Sequence, residues 1–208
     1  MVVRLRKTHR VAEVDEKQTL HYYLQRAREV LLWKLDGLSD YDIRRPMTPT
    51  GTNLLGLVKH CAGVERQYFG EVMGRPFPAD NDLDWHEDDD EELSGHMYAT
   101  AAESREQIAS FYRRVWAHSD ATIGELPLDA CGTVPWWPEE RSHPTLHTVL
   151  VHVIGETTRH AGHADIIRES VDGSAGLLEG VSNMPPDADA AAWEQHYRKL
   201  DRIARSVR

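Results

Sequence analysis

The sequence predicts an all-α protein, a helical bundle in one domain, on three observations. Apolar residues recur at steps of three and four along the long segments, the period of an amphipathic helix. Glycine- and proline-bearing stretches interrupt those segments where helices must stop. A chain of 208 residues can bury one sizeable core and does not demand a second.

Taken in order, residues 18–38 place Leu20, Tyr23, Leu24, Ala27, Leu31, Leu35 and Leu38 on one stripe, the first long helix. A proline-bearing connection follows, with one short turn expected at residues 40–44, and Thr52 stands where it would cap a helix beginning at Asn53. That second helix should run to about Met73, with Leu54, Leu57, Val58, Cys61, Val64, Tyr68 and Val72 on its apolar face and Gly74-Arg75-Pro76 as its stop. His60 rides within this stripe.

Residues 79–92 are dominated by Asp and Glu and read as a solvated loop, since their spacing lacks an EF-hand's glycine and closing glutamate. Thr100 and Glu103 suggest a capping box for a third helix reaching about His118 through Ile108, Phe111, Tyr112, Val115 and Trp116. The segment from Cys131 to Pro144 sets Trp136 and Trp137 among three prolines, so it is an irregular loop of the kind that walls binding sites. The fourth long helix spans residues 145–171 and stops at Asp172-Gly173; a final one, residues 188–205, carries Trp193, Tyr197, Leu200 and Ile203.

Charge and cysteine usage narrow the partners. The net charge of −10 would repel a phosphate backbone, which excludes nucleic acid as an expected partner. Cys61 and Cys131 form neither a disulfide framework nor a CxxC pattern, so a reducing, cytoplasmic setting is expected. No signal-peptide run follows Met1-Val2-Val3-Arg4-Leu5-Arg6-Lys7, and no segment approaches the roughly 18 apolar residues of a membrane span. The apolar residues of the last helix could support a homodimer.

The chemistry lies in the fourth long helix, whose stripe is interrupted by His152, Glu156, His160 and His163. Residues four apart share a helix face, so Glu156 and His160 can converge on one ion with His152 a turn earlier. His152 and His160 stand about 12 Å apart along the axis, too far for one metal, so one i, i+4 pair must be chosen. A third donor must come from a facing helix, and His60 is the obvious one. Two imidazoles and one carboxylate leave zinc an open position, the arrangement of a catalytic site, although iron or nickel would accept the same set. Taken singly, each signal has a plainer reading: His60 as a core histidine, Glu156 with His160 as a surface ion pair. Asp165 could fix a ligand histidine from behind or simply be solvated.

The stretches LLGLVKHCAGVERQYFG (54–70) and HVIGETTRHAGHADIIRES (152–170) resemble the two signature helices of the DinB-like superfamily. The resemblance implies a four-helix bundle, here with an additional C-terminal helix, and a zinc or nickel ion on His60, Glu156 and His160. Glutamate at the first position of the pair is similar to the actinobacterial branch that includes mycothiol S-transferases and the mycothiol-dependent maleylpyruvate isomerase. One departure is Gly162-His163 where many members carry Gly-Gln, so residues gripping the thiol are not carried over.

The expectation is therefore a metal-dependent transferase that activates a low-molecular-weight thiol such as mycothiol toward a small electrophile. Arg159, Trp136 and Trp137 are candidates to line the thiol pocket, and His163 is the candidate acid–base residue. Two alternatives stand beside it: a small-molecule hydrolase using metal-bound water with His163 or His152 as base, and a non-catalytic helical protein whose His60, Glu156 and His160 form a vestigial polar network.

Overall fold

Each helix begins where a short polar side chain can accept from the first orphan amides, and those caps set the boundaries. A computed structural model describes residues 15–78, 83, 95–178, 180–182, 184–185 and 188–207. Among the described residues it contains six α-helices and no strand beyond two isolated bridges. Helix α1 (Glu16–Trp33) is capped by Asp15, whose side chain accepts from the Gln18 amide. It ends before its apolar stripe does: Leu35 and Leu38 are buried, but they sit in the turns leading to α2 (Asp40–Arg44).

Helix α3 (Leu54–Phe69) starts one residue later than expected, because Asn53 itself is extended and accepts from the Gly56 amide. It also stops earlier. At Gly70 a Cβ would fall 2.3 Å from the Arg66 carbonyl oxygen, and the backbone leaves the helix there. Helix α4 (Arg105–Glu125) is capped by a Ser104–Gln107 box, not by Thr100 and Glu103. Glu103 instead accepts from the Thr100 amide and from the buried Lys59 ammonium. The helix runs seven residues past the expected end at His118, carried by buried Ser119, Thr122 and Ile123.

Helix α5 (Leu146–Asp172) starts at the Thr145 cap and closes on Gly173 in the left-handed conformation at φ 78°, where glycine carries no steric cost. Helix α6 (Ala190–Ser206) follows Asp189, and none of its residues is buried; Trp193, Tyr197, Leu200 and Ile203 form one exposed apolar side. The acidic stretch 79–92 lies outside the described residues except for Leu83, which is buried. No described helix is long and apolar enough to cross a membrane.

The four long helices α1, α3, α4 and α5 close into a ring: α1 packs on α5 and α4, and α3 packs on α4 and α5. The bundle core forms two apolar clusters, one around Leu31, Leu57, Phe111 and Ala164, the other around Leu24, Phe69, Val149 and Val153. Charged groups are buried with them. The Arg28 guanidinium donates to both oxygens of buried Glu65, at 3.1 and 2.5 Å, and to Asp120 at 2.8 Å, which ties α1 to α3 and α4. At the other end Lys34 pairs with Asp165 at 2.7 Å, and Arg168 donates to the carbonyls of Lys34 and Asp36.

Candidate metal and thiol site

The seam between α3 and α5 carries the candidate metal residues, His60 on α3 and Glu156 and His160 on α5. Ring contacts of His60 with His160 and of Tyr68 with His152, both at 4.7 Å between centroids, show the two helices running antiparallel. The paired residues are eight apart on each helix, so the two contacts lie about 12 Å apart along the seam. Glu156 stands between His152 and His160, one turn from either.

At the first contact His60 meets His160, and Glu156 stands one turn before His160 on the same helix. The His160 Nε2 lies 3.8 Å from the Glu156 carboxylate, beyond hydrogen-bond reach, and Arg159 approaches the same oxygen at 3.7 Å from the solvent side. Burial lowers the pKa of His60 to about 4, and the nearby His160, His96 and Arg159 push in the same direction. Burial also lowers His160, with Glu156 opposing it. Both imidazoles are therefore neutral at neutral pH, the form in which histidine ligates a metal.

His163 touches the opposite nitrogen of His160, Nδ1 to Nδ1 at 3.4 Å. It thus stands behind the ring whose Nε2 faces Glu156. Asp165, weighed from the sequence for that position, is engaged by Lys34 instead.

At the second contact, the tryptophan loop closes over the seam. Its backbone is pinned to the turn after α3 by the Thr133 amide donating to the Val72 carbonyl, and folded on itself by the Val134 amide donating to the Ser142 carbonyl. The Trp137 indole donates to the Tyr68 hydroxyl at 3.1 Å and packs against His152 at 5.1 Å, while half-exposed Trp136 stands edge-on to Tyr68. His152 therefore belongs to this aromatic cluster rather than to the histidines at the other end. A cleft of about 480 Å³ opens beside it, lined by Trp137, Arg141, His143, Thr148 and His152 among others.

Sequence reasoning overlooked His96. It lies on a short 3₁₀ turn, Gly95–Met97, with its ring 5.1 Å from that of His60. No local pattern distinguishes it from the other histidines of the chain.

The donor types suit a divalent cation: two neutral imidazoles in ring contact, and a carboxylate one turn from the second. Among the described residues no group of three His, Cys, Asp or Glu side chains is already arranged to hold an ion. Donors sharing a tetrahedral zinc sit about 3.3 Å apart, so for Glu156 and His160 to share one the 3.8 Å between them must close by about half an ångström. Glu156 is partly exposed and can make that movement by rotating its side chain. Cys61 is no competitor as a nucleophile, because burial drives its thiol pKa up.

Fold and seam define a four-helix bundle with a histidine–carboxylate cluster between two of its helices. The family model for mycothiol S-transferase matches residues 19–173, which is α1 through the cap of α5, and the chain belongs to that family. Among solved structures it is similar to one described as the conserved protein of locus from Enterococcus faecalis. That structure shares the fold at a TM-score of 0.60 and 17% identity, over 76% of this chain and 98% of the other. No curated protein matches the chain.

Proposed function

We propose that the protein is a metal-dependent thiol S-transferase, with His60, Glu156 and His160 as ligands and mycothiol as the thiol. The observation that carries the reading is the meeting of His60 with His160 beside Glu156, within a chain of the mycothiol S-transferase family. A divalent ion there, zinc before nickel or iron, would supply a Lewis acid that lowers the pKa of the thiol sulfur.

The protein's own groups divide the remaining work. His60 and His160 offer neutral nitrogen from two rigid helices, which holds the donors in register without a loop's freedom. His163 steadies the His160 ring from its far nitrogen, which makes it a positioning residue in this reading rather than the base. Arg159 at the solvent rim places a positive charge where an anionic thiol or electrophile would approach. Trp136, Trp137 and Tyr68, about 12 Å along the seam, offer flat apolar surface to the body of a thiol whose sulfur lies at the histidines.

The test is mycothiol consumption with a model electrophile, run on the reconstituted full chain and on His60→Ala, Glu156→Ala and His160→Ala variants. Thiol-dependent turnover and about one metal per chain in the wild type are expected, both lost in variants that keep their helicity by circular dichroism. A wild type that takes up no metal and turns over no thiol would sink the proposal.

A further inference from the structure

The tryptophan loop is fixed at its base by backbone contacts. A Cβ at Gly132 would fall 2.6 Å from the Val72 carbonyl oxygen and 2.9 Å from the Met73 sulfur, so the loop lies directly on the turn after α3. The Gly132 and Val134 amides donate to the Pro144 and Ser142 carbonyls, which draws its two arms together. Beyond that base the Trp137 side chain is held by Tyr68. An indole has one N–H, and here it is spent on the Tyr68 hydroxyl at 3.1 Å, which fixes the rotation of the ring. Tyr68, buried near the end of α3, also packs on the His152 ring at 4.7 Å between centroids. Trp137 and His152 are 5.1 Å apart and nearly perpendicular, at 74°, and both line the cleft of about 480 Å³. Two residues of the cleft wall, one on a loop and one on α5, are thus joined by a single buried side chain of α3.

We propose that Tyr68 is a positioning residue for thiol binding: by accepting from Trp137 and packing on His152 it sets the wall of this cleft. The inference rests on the thiol S-transferase reading and adds the cleft as the place for the part of the thiol remote from its sulfur. The cleft lies at the second contact, about 12 Å along the seam from the histidines that would take the sulfur. Arg141, His143 and Thr148 line the rest of it, so an aromatic face is bordered by hydrogen-bonding groups, which suits a polar, hydroxyl-bearing ligand. Phenylalanine at position 68 would keep the ring contacts but leave the indole N–H without its acceptor and free to turn.

The experiment measures binding of S-methylated mycothiol, whose blocked sulfur calls for no metal, to the metal-free full chain by titration calorimetry. Tyr68→Phe and Trp137→Phe each keep an aromatic ring and remove one half of the hydrogen bond. Each is expected to weaken binding roughly two- to tenfold, the size of one lost hydrogen bond. The double variant should bind no more weakly than the weaker single one, because Tyr68 acts through Trp137, whereas a purely structural role for Tyr68 would make the two losses multiply. Binding by Tyr68→Phe at wild-type strength, multiplied losses, or no binding by the wild type would each overturn this proposal. The transferase reading is decided separately, by thiol turnover of the metal-loaded chain.

Discussion

Acidifying the metal-free protein from pH 7.5 to pH 5 should remove about 2 kcal/mol of stability through His60 alone. The side chain is held neutral in the bundle, with its pKa lowered from 6.5 to about 4 by burial and by His160, His96 and Arg159. The unfolded chain binds a proton near pH 6.5 that the folded chain refuses until about pH 4. The contribution is therefore complete above pH 6.5 and is lost as the pH falls through that window toward 4. Each unit of the difference corresponds to about 1.4 kcal/mol, so a fall to pH 5 uses roughly one and a half of those units. Urea titrations of wild type and His60→Gln at both pH values, with chelator present, isolate this share, because the carboxylates common to both proteins cancel. The wild type should lose about 2 kcal/mol more than the variant. Equal losses would refute the argument that the fold holds His60 neutral.

Glu65→Ala leaves Arg28 charged and buried without its bidentate partner, with Asp120, Gln25 and the Trp116 ring still near it, and should cost about 3–5 kcal/mol in urea unfolding. A loss under about 1 kcal/mol would mean the pair is solvated. His163→Ala should lower metal affinity by about 10–100-fold while leaving one metal bound at saturation; unchanged affinity with lost turnover would return His163 to an acid–base role. Trp137→Ala should raise KM for the thiol roughly two- to tenfold with kcat nearly unchanged, the size of one lost aromatic contact. A KM equal to that of the wild type would place the thiol elsewhere.

Elements were easier to read than their ends. The stripe of Leu24, Ala27 and Leu31 announces α1 because the core selects for apolar side chains every three or four residues. Its end at Trp33 is hidden, since Leu35 and Leu38 continue the period from turns that are also buried. An isolated glycine such as Gly70 is tolerated inside a helix, and only the crowding at the Arg66 carbonyl makes it the stop of α3. Caps failed by a residue or more at Asn53 and Ser104, where neighbouring Thr52 and Thr100 offer the same chemistry.

Glu156 and His160 could be paired from the sequence because helical spacing is a local rule, four residues returning to the same face. His60 could be nominated because it interrupts an apolar stripe that must face the core. The tertiary structure decided which groups meet across helices. It brings His60 to His160 and Tyr68 to His152, turns His163 toward the rear of His160, and gives Asp165 to Lys34. It also seats His96 beside His60 through the bare backbone of Gly56. Those meetings depend on helix register, on buried charge pairs and on loops pinned by backbone hydrogen bonds, and sequence periodicity carries no term for any of them.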